Sequence, residues 1–224
     1  MANTFYIRPA SNALEDGRRI LEFVDSQLPY LQRLGSEGQW GLEPFGDDER
    51  TQQGYKGIVT NSEATEKGRP WDRNSTKAFI AEVDIPVEKL TPEIKAIMSP
   101  QEATESNGFV RLRVASMFVD GRSVGYARPV LPEQDDNDPF LYVAHVVSDR
   151  RAVPWCNGAG NALLEHAKKE AQSLGLGRIC LDCWNGNGGR LVKYYEAKGY
   201  QPLGVVFDDG EKDWPATVME LRLK

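Results

Sequence analysis

The sequence predicts an α/β fold of the α+β type, with a mixed, mostly antiparallel central sheet and one parallel β-α-β unit. Three observations predict it. Residues 140–184 read as strand, helix, strand, and a helical crossover of this kind joins parallel neighbours. Residues 77–120 hold two long strand-like runs, "KAFIAEVDIP" and "FVRLRVASMFVD", of the kind that pair antiparallel. The final stretch, "PLGVVFDDGEKDWPATVMELRLK", reads as a closing hairpin around Asp209-Gly210. A chain of 224 residues fits one such domain, 1–224, with a sizeable core.

The elements follow in chain order. "TFYIRPA" is a first strand, and Ile20, Phe23, Val24, Leu28, Leu31 and Leu34 then recur at near-helical spacing. Asn12 and Glu15 have the spacing of a capping box, and Pro29 implies either two helices or one kinked helix ending at Gly35. Residues 35–76 are rich in Gly, Asp, Glu, Asn and Thr without a sustained period. They are expected to form long loops with at most one short helix, "DDERTQQGYKGI". An insertion at about 86–108 holds "TPEIKAIM", a short helix with Thr91 as N-cap and Pro92 in its first turn. "FVRLRVASMFVDGRSVGYARPV" is expected to be two strands around Asp120-Gly121.

"FLYVAHVVS" is a strand whose alternation puts Leu141, Val143, His145 and Val147 on one face. In "GAGNALLEHAKKEAQSLG", Ala159, Ala162, Leu163, Ala167, Ala171 and Leu174 form one stripe of a helix and Gly175 stops it. "GRICLDCW" is a strand, and "RLVKYYEAKG" a short helix ending at Gly199.

Composition excludes several function classes. Apolar residues make up 40% and charged residues 27%, as expected for a packed soluble protein. No apolar run approaches the roughly 20 residues that cross a bilayer, and no basic-then-apolar leader opens the chain, so a cytoplasmic protein without a membrane partner is expected. The net charge is −6 and no Lys/Arg cluster is interleaved with aromatics, which argues against a nucleic-acid partner. The three cysteines, Cys156, Cys180 and Cys183, suggest no disulfide framework. Cys180-x-x-Cys183 sits in a strand, where residues three apart face opposite ways, so no metal site is expected.

The chemistry centres on "CNGAGNALLEHA", residues 156–167. Glycine lets backbone approach an anion, and a helix N-terminus offers unpaired N–H groups and a partial positive charge. A Rossmann turn would need a third small residue where Leu163 stands, and about ten residues, "SDRRAVPWCN", separate the strand from Gly158. A P-loop would need Lys and Ser or Thr after Gly160, where Asn161 follows. Neither nucleotide motif fits.

The wider run from "LYVAHVVS" to "KGYQPLG" resembles the acetyl-coenzyme A core of the GNAT superfamily of N-acetyltransferases. The family's pattern of Gln or Arg, two residues, Gly, one residue, Gly or Ala falls on Trp155, Gly158 and Gly160. Its second signature falls on Leu181, Asp182, Trp184, Asn187 and "YEAKGY" at 195–200. Trp155 departs from the family's Gln or Arg, and the loop before the glycines is longer than usual.

The resemblance implies transfer of acetyl from acetyl-CoA, the co-substrate, to a primary amine by direct attack in a ternary complex. It implies that Trp155, Asn157, Gly158, Ala159, Gly160 and Asn161 surround the cofactor's pyrophosphate. The backbone of Val146 or Val147 would lie at the thioester carbonyl, as an oxyanion donor, and Asn187 on the cofactor arm. Tyr195 matches the family's general acid, and a phenol with a pKa near 10 is protonated at neutral pH. His145 is a candidate base or a core histidine, with Glu82 as an alternative carboxylate, and Trp40 is a candidate wall of the substrate pocket. A small-molecule amine is the expected substrate, and a monomer or homodimer the expected state. The alternatives are peptide or protein N-acetylation and a non-catalytic acetyl-CoA sensor.

Overall fold

The computed structural model describes residues 3–208 and 211–223. Seven strands and five α-helices lie among them: β1 (Phe5–Pro9), α1 (Asp16–Arg33), α2 (Glu49–Glu66), β2 (Thr76–Pro86), α3 (Pro92–Ile97), β3 (Phe109–Asp120), β4 (Phe140–Ser148), α4 (Ala159–Ser173), β5 (Arg178–Trp184), α5 (Arg190–Glu196), β6 (Gln201–Asp208) and β7 (Glu211–Arg222). The strands form one sheet in the order β1-β2-β3-β4-β5-β7-β6. Every neighbouring pair is antiparallel except β4 and β5, which run parallel across the α4 crossover. The mixed sheet expected from the sequence is thus observed. The turn at Asp209-Gly210 lies outside the described residues.

Two packed layers cover the sheet. Leu112, Met117, Leu141, Val143, Leu181 and Met219 point to the face where α4 lays down Ala159, Leu163, Ala167 and Ala171. The opposite face receives α1 and α2, with Ile20 and Val59 against Ile80 and Phe118, and Phe23 and Val24 against Val147. Cys180 and Cys183 fall on opposite faces, each in an apolar cluster, and burial pushes both thiols up to about 12. No helix of the described residues is long and apolar enough to cross a membrane.

Four local expectations are corrected. First, α2 is an 18-residue helix within the stretch expected to be loops. It buries only Val59, Ser62 and Thr65, so its apolar stripe is too thin to register as a period, and Asp48 caps it by accepting from the Thr51 N–H. Second, the capping box of Asn12 and Glu15 does not form. Ser11 caps a short 3-10 turn, Glu15 is left-handed at φ 54°, and Asn12 instead donates its N–H to Glu63 on α2. Pro29 sits inside α1, which continues as one helix to Arg33.

Third, no strand follows Asp120-Gly121. The chain passes through a 3-10 turn at Gly125–Ala127 and covers the sheet irregularly up to Pro139. Gly121 packs against the Asp72 carbonyl so closely that a Cβ there would lie 1.9 Å from that oxygen. Gly121→Ala is therefore expected to cost about 1–3 kcal/mol by forcing two backbones apart, read as a lower urea midpoint. An unchanged midpoint would show that this contact is not rigid.

Fourth, β4 is bulged. Phe118 pairs with His145 but Val119 pairs with Val143, leaving Ala144 without a partner on β3. The extra residue reverses the alternation beyond it. Val143 and Val146 face α4, whereas His145 and Val147 face α1 and α2. The single face read for Leu141, Val143, His145 and Val147 is thus split in two.

Candidate active site

The bulge and the parallel pairing together open the sheet. β4 and β5 pair only from Phe140–Val143 to Arg178–Leu181. Beyond that point β4 stays with β3 through Ser148, and β5 stays with β7 through Trp184. From Ala144 onward, the edge of β4 that faces β5 has no strand beside it. A cleft of about 770 Å³ occupies the gap.

One end of the cleft is the N-terminus of α4. Gly158 holds φ 94°, a left-handed conformation suited to glycine, and caps the helix without any side-chain bond. Among the described residues, no protein acceptor meets the N–H groups of Gly158, Gly160 and Asn161, and all three residues line the cleft. Unpaired donors at a helix N-terminus form an anion site. Arg150, Arg190 and Lys198 line the same cleft, with no carboxylate at ion-pair distance among the described residues. Arg150 is held in place: its Nε donates to Gln27 Oε1 at 2.9 Å and its guanidinium stacks 3.9 Å from the Tyr30 ring centroid. In a chain of net charge −6, three free cations against one carboxylate mark this cleft as built for an anion.

That carboxylate, Asp182, is the first β5 residue beyond the β4 pairing, at the apex of the opening. It accepts from the Tyr126 hydroxyl at 2.8 Å and from the Tyr142 hydroxyl in a short bond. Burial raises its pKa, although the two phenols act in the opposite sense. Tyr126, Trp184, Trp214 and, from the α1–α2 connection, Trp40 line the same cleft. Trp214 donates its Nε1–H to the Gln39 carbonyl at 2.9 Å, which fixes that connection over the cleft.

The residues singled out in the sequence divide clearly. Val146, Val147, Asn157, Gly158, Gly160, Asn161, Asn187, Tyr195, His145 and Trp40 all line the cleft. Tyr195 packs against Tyr200 and Tyr194 on the α4 side, and burial raises its pKa. His145 lies between Phe118 and Trp40, with Nε2 buried and lacking any hydrogen-bond partner. Burial lowers its pKa to about 4, so it is neutral at pH 7 and a weak base. Asn187 also touches the α1–α2 connection, donating to the Leu34 carbonyl and the Ser36 hydroxyl.

Three residues fall elsewhere. Glu82 is ion-paired to Arg8 at 2.7 Å on the far side of the sheet order, away from the cleft. Trp155 packs on the main core and presents only its carbonyl, to Asn3. Ala159, the first residue of α4, is fully buried against the sheet. Sequence reading missed Gln27, Tyr30, Arg150, Arg190 and Asp182 as lining groups. Asp182 and Arg150 stood inside recognised motifs, and only the splay of β4 from β5 reveals which way they face.

No family model and no curated protein matches this sequence. Solved structures do. An acetyltransferase of the GNAT family from Listeria monocytogenes superposes with a TM-score of 0.57 at 14% identity, covering 100% of this chain and 99% of that one. An N-acetyltransferase from Staphylococcus aureus gives 0.55 at 13% identity, with 99% of each chain covered. The fold is that of the GNAT acetyltransferases. The same GNAT fold is shared, at a TM-score of 0.52 and 14% identity, by yncA of Salmonella typhimurium, described as an acetyltransferase and solved with its cofactor acetyl-CoA. That alignment covers 99% of this chain and 95% of the other. At such identities the likeness establishes the GNAT architecture of the chain and leaves its chemistry to the residues in the cleft.

Proposed function

We propose that this protein is an acyltransferase that moves an acetyl group from acetyl-CoA to a primary amine of a small molecule. The observation that carries the reading is one cleft joining an unpaired strand edge to a cationic helix N-terminus. A pantetheine arm carries amides that can pair with the β4 edge, and a pyrophosphate needs the N–H donors of Gly158, Gly160 and Asn161. Arg150, Arg190 and Lys198 supply counter-charge for the remaining phosphate. When bound, the co-substrate supplies an activated thioester.

The chain's own groups account for the rest. Tyr195, kept protonated by burial, donates to the departing sulfur. Backbone N–H groups at Val146 or Val147 face the carbonyl oxygen. Burial keeps His145 neutral at neutral pH, which leaves it a weak base with an uncharged, unpartnered Nε2. The connection pinned by Trp214 narrows the acceptor side, which favours a small molecule over a peptide laid in an open groove.

The test is thiol release from acetyl-CoA across polyamines, amino acids, aminoglycosides, arylalkylamines and peptides. Turnover with a small amine supports the reading, peptide-only turnover moves it to protein acetylation, and binding without any turnover makes the protein a sensor. Binding of NAD or ATP in place of acetyl-CoA would sink it. The cationic lining is checked separately: Arg150→Ala with Arg190→Ala is expected to weaken acetyl-CoA binding about tenfold at low salt and less at high salt. Calorimetry showing equal affinity would remove those two arginines from the phosphate site.

A further inference from the structure

We propose that Asp182 is the receptor for the acceptor's ammonium group, and that the acceptor is a monocationic amine on an apolar or aromatic carrier, without a carboxylate of its own. This rests on the acetyltransferase reading for the site but makes a separate claim about what enters it.

Asp182 is the one carboxylate among the described residues that line the cleft. It stands at the apex, where the strands part, so a ligand that fills the opening must meet it. Two phenols occupy part of its acceptor capacity, and an ionised carboxylate offers about four lone-pair sites, which leaves room for an N⁺–H donor. Val206, Ala216 and Val218 pack with Tyr142 beside it, and among the described residues no arginine or lysine pairs with Asp182. A carboxylate in such a place is costly without a positive partner, and a bound ammonium supplies one.

The walls select the carrier. Tyr126 and Trp214 meet edge to face at 5.9 Å, and Trp184 and Trp40 stand in the same lining. Such rings favour flat apolar groups and attract cations through their faces. An α-amino acid would bring its carboxylate within one carbon of the ammonium, against Asp182, where like charges repel. The arginines and Lys198 belong to the glycine-turn and α5 side and do not pair with Asp182.

Tyr195 packs into the α4 face, whereas Tyr142 and Tyr126, which hold Asp182, pack on the other. The acceptor and the proton donor therefore approach the opening from opposite sides of the sheet: Asp182 takes one proton from the bound ammonium and passes it to solvent, the freed amine attacks the thioester carbonyl, the C–S bond breaks as Tyr195 protonates the sulfur, and the second proton lost by the nitrogen restores Tyr195.

The experiment is calorimetric titration of the whole protein, in the presence of coenzyme A, with phenethylamine, phenylalanine and the neutral analogue 2-phenylethanol. The wild-type protein is expected to bind phenethylamine at least tenfold more tightly than either of the others. Asp182→Asn, which keeps the shape and lets one phenol still donate to the amide oxygen while the other turns to accept from the NH2, should erase that preference while leaving coenzyme A affinity unchanged. Equal binding of phenylalanine or 2-phenylethanol by the wild type would overturn the proposal without recourse to any variant. So would an Asp182→Asn protein, folded by its unfolding temperature, that still prefers the amine. If coenzyme A fails to bind while the amine binds in an Asp182-dependent way, the acetyltransferase reading falls and this proposal stands.

Discussion

Tyr195→Phe is expected to lower kcat on the order of 10²-fold or more with little change in the affinity for acetyl-CoA. General acid catalysis typically contributes 10²–10⁴-fold, and burial keeps the Tyr195 hydroxyl protonated. Phe keeps the ring contacts with Tyr194 and Tyr200, so the variant removes the hydroxyl and little packing. The adjacent phenol gives the control. Tyr194 stands at the glycine turn, its hydroxyl 3.7 Å from where a Cβ on Gly160 would be. Tyr194→Phe should therefore raise the KM for acetyl-CoA while sparing kcat. Because burial raises the pKa of Tyr195, the acid stays protonated through the ordinary phenol range. The wild-type kcat should then show no alkaline decline up to about pH 10. Steady-state rates across pH for the three proteins decide the matter, and a Tyr195→Phe enzyme with unaltered kcat would remove the acid assignment.

What could be read from the sequence follows from where each signal is stored. The β-α-β core was legible because its information is local: the periodicity of α4, the glycine at its start and the apolar run of β5 each lie within a few residues. The same locality placed Gly158, Gly160, Asn161 and Tyr195 in the cleft before any coordinates. His145 was found, but its orientation was not. One unpaired residue, Ala144, turned it toward α1 and α2, and a bulge leaves no mark on hydrophobic alternation. α2 was underestimated because a helix held by Val59, Ser62 and Thr65 has almost no apolar stripe. Ser62 instead accepts the N–H of Ala78 at the start of the sheet, a contact between elements that no window of sequence displays. Trp155 was misplaced for a related reason. It occupies the family's motif position, yet its half-buried ring packs against the core, and a cation that does line the cleft, Arg150, stands five residues earlier.

Asp16→Ala is expected to cost about 3–5 kcal/mol of stability, the largest single loss outside the apolar core. Asp16 is fully buried and meets Arg8 at 2.6 Å and Arg113 at 3.1 Å, while accepting the Ser11 N–H at 2.8 Å. Arg113 continues to Glu102 at 3.0 Å, and Glu102 to Arg19 at 3.4 Å. Five charges from β1, α1, β3 and the β2–β3 connection thus form one chain, which clamps the insertion around α3 onto the first helix. Removing Asp16 leaves Arg113 sharing Glu102 with Arg19 and leaves Arg8 with Glu82 alone, so buried positive charge is left only partly compensated. For a domain of this size the loss corresponds to a fall in Tm of roughly 6–20 °C. Arg111→Ala breaks the half-exposed pair with Asp84 and should cost no more than about 1 kcal/mol. The network also carries a pH signature. Burial alone would raise the Glu102 pKa, but hydrogen bonds from Arg113 and the charges of Arg19 and Arg113 bring it from 4.5 down to about 2. A folded-state pKa below the unfolded one gives stability that is complete above about pH 4.5 and is lost as pH falls toward 2. Urea midpoints of the wild type should therefore drop steeply between these values, and those of Glu102→Gln should drop less. Equal slopes for the two proteins, or an Asp16→Ala protein as stable as Arg111→Ala, would show that the buried chain of charges does not hold the insertion in place.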